Sequence, residues 1–260
     1  MKLPFVLSIP HGALRVPDAI LRTMKLQPRD IEASVDTGTL EIFSGLPALA
    51  VVSAEWNRLV ADVNRNPSDA GDRGVITRID YDGREVYQPD AAVGPIERAD
   101  RIERYHRPFH RRLAAALKIP GGAGLYDCHS LNNIGPQEAP DRGKARKDIV
   151  LGNNGDSSGS PRSGRGSPTC PPRVFRRMAD CFRDAGFSVA LNHPYAGGYI
   201  TTHYGKRLVK EGRFAVQIEI NQSLLLDPGT RRIDTARATD VQGRIEEAFQ
   251  RIAASCGLSA

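Results

Sequence analysis

Three residues in this chain have side chains that can hold or use a metal ion, and each closes an apolar run of strand character. They are His11 after Phe5-Val6-Leu7-Ser8-Ile9-Pro10, His129 in Gly124-Leu125-Tyr126-Asp127-Cys128-His129-Ser130, and Glu219 in Phe214-Ala215-Val216-Gln217-Ile218-Glu219-Ile220-Asn221. In an α/β fold the carboxyl ends of strands gather at one rim, and ligands bind there. Two imidazoles and a carboxylate brought to one rim are the parts of metal-assisted hydrolysis.

Each residue also has a plainer reading. His11, with Gly12 behind it to let the backbone turn or approach a ligand, could be a surface-loop histidine. His129 could be a satisfied core histidine, with Asp127 on the same strand face to orient its neighbours. Glu219 is the sharpest signal. The even positions from Phe214 to Ile220 are all apolar, and the odd face carries Ala215, Gln217 and Glu219. A carboxylate inside such a strand is costly unless it meets a cation, the alternative being an edge strand that points it at water.

Zinc commonly takes a third protein ligand and leaves a position open for water. Asp36 and Glu32, one turn apart on a predicted helix over 28–44, are candidates, and each is also readable as a solvated acid. His106 and His110 have the i, i+4 spacing of a zinc-protease helix. The glutamate of that pattern is missing and Pro108 intervenes, so a packing or surface role is expected. Cys128 points to the strand face opposite His129 and reads as a buried structural cysteine rather than a nucleophile.

The elements that must position these groups alternate. Strands are expected at about 4–9, 48–52, 124–130, 149–152, 187–191 and 214–221, with a further extended piece at 59–63. Helices are expected over about 28–44, 96–118 with a kink at Pro108, 173–185 and 234–254. Residues 66–95 read as a long functional loop or small hairpin, and 152–172, rich in Gly, Ser, Pro and Arg, as a mobile segment. This alternation predicts a three-layer α/β/α fold with a mostly parallel or mixed sheet, a single domain over 1–260.

At 260 residues, 25% charged and 40% hydrophobic, the chain can bury a core without staples. Four scattered cysteines with no CxxC pair argue against a disulfide framework or a cysteine-rich zinc module. The run Leu3 to Ile9 is too short to span a membrane and leads into Pro-His-Gly, so a cytoplasmic location is expected. The net charge of +6 is carried by residues 141–177, with nine lysines and arginines against three acids. Such a stretch reads as solvated surface, with attraction of small acidic ligands as the next reading. The lack of interleaved aromatics between 141 and 172 weakens a nucleic-acid platform.

Together the motifs resemble the N-formylglutamate amidohydrolase family. The matching stretches are Ser8-Ile-Pro-His-Gly12, Val35-Asp36, Asp62-Val-Asn-Arg65, Tyr105-His-Arg-Pro-Phe-His110, Asp127-Cys-His-Ser130, Asp148-Ile-Val-Leu-Gly152, Asn192-His-Pro-Tyr-Ala-Gly-Gly-Tyr-Ile-Thr201 with His203-Tyr-Gly205, and Gln217-Ile-Glu-Ile-Asn221. They run in family order across nearly the whole chain. The resemblance implies a hydrolase fold of the zinc-carboxypeptidase and aspartoacylase type. It also implies zinc, or another divalent transition metal, held by His11, Asp36 and His129 with Glu32 in reserve, and Glu219 as general base and acid. The implied substrate is a small acidic N-acylated amino acid such as N-formyl-L-glutamate. Asn64, Arg65, His203, Tyr204 and Arg207 are the candidates to bind it, and Gly197-Gly198 a hinge or close-approach turn. The segment after Gly152 looks extended relative to the family pattern. Rival readings are an amidohydrolase of other N-acyl amino acids or short peptides, a binding protein that keeps the site, and a nucleic-acid-binding protein using 141–177. The sequence is silent on oligomeric state.

Overall fold

The computed structural model describes residues 2–137 and 139–257. In chain order the elements are β1 (Leu3–Ile9), α1 (Asp18–Leu21), α2 (Pro28–Ala33), α3 (Thr39–Phe43), β2 (Ala48–Ser53), α4 (Pro95–Arg101), α5 (Arg107–Ala116), β3 (Gly124–Leu131), β4 (Ile149–Gly152), α6 (Pro172–Asp184), β5 (Val189–Leu191), α7 (Tyr199–Leu208), β6 (Phe214–Asn221) and α8 (Thr235–Ser255). Six strands form one sheet in the order β2-β1-β3-β6-β4-β5. The first four run parallel, and β4 turns the sheet mixed by pairing antiparallel to β6. The expected α/β class with a mixed sheet is the one observed.

The apolar composition of β1, β3 and β6 follows from burial on both faces, since helices cover each side of a parallel sheet. One face packs against α3, α6 and α8 through Ile42, Phe175, Phe182, Val241 and Phe249. The ring of Phe249 stacks on Tyr126 with centroids 4.5 Å apart. The other face packs against α5 and α7 through Phe109, Leu113, Ile200 and Leu208. The alternation read in Phe214 to Ile220 is the one that divides them: Val216 and Ile218 enter the first layer, Ala215 the second.

Several elements differ from expectation. The helix predicted over 28–44 is two helices, α2 and α3, with residues 34–38 between them. Gly38 lies there in the left-handed region at φ 87°, where a Cβ would meet Leu225 at 2.3 Å. The backbone N–H of Asp36 donates to the carbonyl of His11 at 3.0 Å instead of continuing a helix. Residues 59–63 are turn and irregular chain rather than a strand. Leu59, Val60 and Ala61 enter a third cluster with Ile76, Val86, Tyr87 and Ile102, under the long segment that precedes α4, while Val63 joins the layer of α5 and α7. Within that segment the bridge between Ile79 and Glu85 closes a small hairpin. The kink expected at Pro108 takes the form of a π-helical stretch, Ile102–His106, between α4 and α5. A π turn absorbs the hydrogen bond that proline cannot make.

The stretch 152–172 makes several hydrogen bonds to the sheet and within itself. Thr169 lies beside the start of β6, its Oγ1 donating to Ala215 O at 2.7 Å and its carbonyl accepting from Ala215 N at 2.8 Å. Buried Asn153 donates to Gly159 O and Cys170 O. Among the described residues no helix is long and apolar enough to cross a membrane.

Candidate metal and active site

Because β1, β3 and β6 are parallel neighbours, their carboxyl ends meet at one rim. Ser8 pairs with Asp127 across β1–β3, Asp127 with Gln217 and His129 with Glu219 across β3–β6. Residues in register share a sheet face, so the polar groups form a row on the side of α5 and α7. His11 follows the end of β1 and faces His129, with ring centroids 4.9 Å apart.

Asp36 reaches this pair from the break between α2 and α3. Its Oδ2 lies 3.3 Å from His11 Nδ1 and 2.7 Å from His129 Nδ1. The three ligand atoms of His11, Asp36 and His129 lie within 4.8 Å of one another, a group that could hold a metal ion. Glu32, the reserve candidate, stays on α2 and is exposed. The helix break that frees Asp36 leaves Glu32 behind.

The donor set fits a divalent transition metal. Two imidazoles and one carboxylate are three ligands of the kind zinc takes in catalytic sites. The far nitrogen of each ring is backed by a carboxylate, which fixes its tautomer and raises its basicity. His11 Nε2 lies 2.8 Å from Asp62 Oδ1, and His129 Nε2 lies 3.3 Å from Asp127 Oδ2. Asp127 is itself held by the hydroxyls of Ser8 and Thr201, which donate at 3.1 and 3.2 Å. Arg58 neutralises the acidic side of the cluster, 2.8 Å from Asp62 and 3.5 Å from Asp36.

The charges follow from burial and these partners. Burial opposes ionisation of Asp36 and Asp62, but His11 and His129 beside Asp36, and Arg58 and His11 beside Asp62, hold both carboxyls well below the usual range. Burial also opposes charge on His129, but Asp127, together with Asp36 and Glu219, raises the imidazole well above its ordinary value. Glu219 is the exception. Burial pushes its carboxyl up to about 8, with Asp36 and Asp127 adding to the shift and His129 opposing it. Its Oε1 accepts from Gln217 Nε2 at 2.8 Å, and Gln217 Oε1 accepts from Gly198 N at 2.6 Å.

A cleft of about 520 Å³ opens over the row, lined among others by His11, Asp36, Arg65, His129, Tyr195 and Glu219. Arg65 and Asn64, two of the predicted ligand-binding residues, line it. Asn64 is largely engaged with the protein: its Nδ2 lies 3.1 Å from His129 Nε2, and its Oδ1 accepts from Ile200 N at 2.8 Å. Gly198 packs directly on this amide, where a Cβ would fall 2.5 Å from Nδ2. The Gly197-Gly198 pair is therefore a close-approach turn. His203, Tyr204 and Arg207 lie off the lining of the cleft. Tyr204 hydroxyl lies 2.9 Å from His110 Nδ1, His203 stacks on Tyr199, and Arg207 pairs with Glu211 at 3.3 Å. The helical turn of α7 carries Tyr204 and His203 towards His110 of α5 instead of the cleft.

His106 and His110 have the expected packing role. Their Nε2 atoms lie 2.9 Å from Arg65 O and 2.8 Å from Val63 O, which pins the turn that carries Asp62 and Asn64. Burial, aided by neighbouring His106, lowers His110 to about 3, so it packs as a neutral ring. Cys128 is buried, and burial with Asp127 raises its thiol well above the ordinary range. Part of the basic stretch also departs from a solvated surface. Arg146 is buried in a two-point pair with Asp141, both contacts at 2.7 Å.

Arg58 and the role of Asp62 escaped the sequence reading. Asp62 carried the signal that marked Glu219, an acid closing an apolar run. Arg58 carried none beyond its i, i+4 spacing to Asp62.

Fold and site together define a mixed α/β protein with a donor set fit for a divalent metal beside a buried glutamate. Residues 3–226 match the family model of the N-formylglutamate amidohydrolases, and the chain belongs to that family. It is 30% identical over 256 residues to N-formylglutamate deformylase of Pseudomonas aeruginosa, with 92% of this chain and 89% of the relative covered. The deformylase of Pseudomonas putida is 29% identical over 254 residues, with the same coverage. The fold is that of the crystal structure of an N-formylglutamate amidohydrolase from Ralstonia eutropha JMP134, with a TM-score of 0.74 at 24% identity over 98% of this chain and 94% of that one. A protein of Agrobacterium tumefaciens shares it at a TM-score of 0.71 and 19% identity, over 98% and 92% of the two chains.

Proposed function

We propose that this chain is a metal-dependent amidohydrolase, acting as one domain, that cleaves the N-formyl amide of an acidic amino acid, N-formyl-L-glutamate foremost, to formate and the free amine. The reading rests on family membership, on relatives named N-formylglutamate deformylase, and above all on a buried carboxylate set in register beside His129. His11, Asp36 and His129 would hold the metal, zinc by donor chemistry. A bound divalent cation would supply Lewis acidity towards a carbonyl and acidify water.

The remaining steps belong to the chain's own residues. Glu219 takes a proton from the attacking water and delivers one to the leaving nitrogen as the C–N bond breaks, work that suits a carboxyl with a raised pKa. Gln217 holds its Oε1 and so directs the other oxygen. Asp62 and Asp127 orient the two imidazoles. Arg65, next to Asn64 in the turn that abuts His129, takes the carboxylate nearest the scissile amide, since a guanidinium binds carboxylates in a fork.

The test is formate release from N-formyl-L-glutamate by purified protein, before and after chelation and zinc restoration, beside N-acetyl and dipeptide substrates. Release from N-formyl-L-glutamate, lost on chelation and regained with metal, is the expected result. Turnover that survives complete metal removal would end the metal-dependent reading. Turnover confined to N-acetyl or peptide substrates would reassign the acyl group.

A further inference from the structure

The segment after Gly152 that looks extended relative to the family pattern supplies a wall of the cleft. Asn154 N donates to Ala196 O at 2.5 Å, and Asn154 Nδ2 donates to Gly166 O at 3.1 Å. Ala196 leads through Gly197 to Gly198, whose N–H holds Gln217 and through it Glu219. An unbroken run of contacts thus carries Arg165, beside Gly166, onto the same lining as Glu219 and His129.

The arginines of this cleft differ in what they already hold. Arg58 is committed to Asp36 and Asp62, Arg84 to Asp30, Asp80 and Asp82, and Arg146 to Asp141. Arg165 is half-buried and donates Nη1 to Gly155 O at 2.8 Å. That bond fixes the guanidinium through a neutral carbonyl, and among the described residues Arg165 has no carboxylate partner. An arginine oriented by the backbone, uncompensated by an acid and facing a cleft is prepared for a ligand carboxylate, which it can bind with two parallel N–H donors.

We propose that Arg165 is a specificity-determining residue that binds the distal, side-chain carboxylate of the substrate, while Arg65, beside the metal ligands, takes the near one. The inference rests on the function proposed above. It gives the basic stretch 141–177 a use: one of its charges selects a dianionic substrate over a monoanionic one, and the others add to the attraction of anions.

The test compares N-formyl-L-glutamate with its neutral-side-chain isostere N-formyl-L-glutamine in wild type, Arg165→Gln and Arg165→Lys. Loss of a charge-assisted pair is expected to raise KM for N-formyl-L-glutamate roughly tenfold to hundredfold in Arg165→Gln. The kcat and the KM for N-formyl-L-glutamine stay at wild-type values, and Arg165→Lys recovers part of the loss. An unchanged KM for N-formyl-L-glutamate, or an equal rise for both substrates, would overturn the proposal. Calorimetric titration with glutarate separates it from the deformylase reading. If neither substrate is turned over, the deformylase reading fails, while weaker glutarate binding by Arg165→Gln than by wild type still supports the clamp. Equal glutarate binding by the two proteins, or none by wild type, would overturn it.

Discussion

His129 and Glu219 stand directly opposite each other in the parallel register of β3 and β6. A candidate metal ligand and a candidate proton carrier are thus neighbours on one sheet face, held by the backbone ladder rather than by flexible loops. Val150 of β4 pairs with Glu219 from the other side, so the carboxylate is walled in by strands. That confinement raises its pKa, and a cation bound beside it would favour the ionised form.

Glu219→Gln keeps the shape and the hydrogen bonding of the site while removing its base. It is expected to fold, to keep its metal content, and to lose about two to four orders of magnitude in kcat, the usual contribution of a positioned acid–base group. Steady-state formate release with elemental analysis of the same preparation checks it. Wild-type turnover in this variant would remove Glu219 from the mechanism.

His11→Ala, Asp36→Asn and His129→Ala each take one donor from the cluster. Bound zinc in the purified protein, read by mass spectrometry, should fall in all three, while Glu32→Gln should leave it unchanged because Glu32 is exposed on α2. Equal metal loss in Glu32→Gln and Asp36→Asn would show that the break between α2 and α3 does not select the ligand.

Gly198→Ala places a methyl 2.5 Å from Asn64 Nδ2 in a backbone conformation open to any residue. The cost therefore falls on Asn64 and its contact with His129. Metal affinity or activity should drop about 10- to 100-fold, the range for groups that orient a ligand. Adding the change to Asn64→Ala should cost little more, because both act through one contact. Full additivity in this cycle would place the damage elsewhere.

In the metal-free protein, Glu219 links stability to pH. Its carboxyl is pushed from 4.5 up to about 8 by burial, so between those values the folded chain keeps a proton that the unfolded chain has released. Its stabilising contribution is complete below 4.5 and is lost as pH rises through about 8. His129, also raised, acts in the same direction. Chelated protein should thus unfold at lower urea at about pH 9 than at about pH 5, and Glu219→Gln should flatten that slope. A slope unchanged by the substitution would assign the pH dependence to other groups.

Much of the rim was legible in the sequence for local reasons. Strand alternation placed Glu219 and Gln217 on the face opposite Val216 and Ile218, and apolar runs ending in His11 and His129 located two strand ends. These follow from a period of two and from the cost of burying charge, both properties of neighbouring residues. Tertiary contacts decided the rest. A 28–44 pattern of helical spacing could not show that Asp36 N–H would bond to His11 O, or that Leu225 would pack where Gly38 lacks a Cβ, and those two contacts open the helix and release Asp36. Likewise His203, Tyr204 and Arg207 shared a motif with Gly198, yet the turn of α7 carried them away from the cleft, while Arg58, Asp62 and Arg165 entered it from distant segments. Local periodicity settles which way a side chain leaves its own element; what it meets there depends on chain segments far away in sequence, and that only folding brings together.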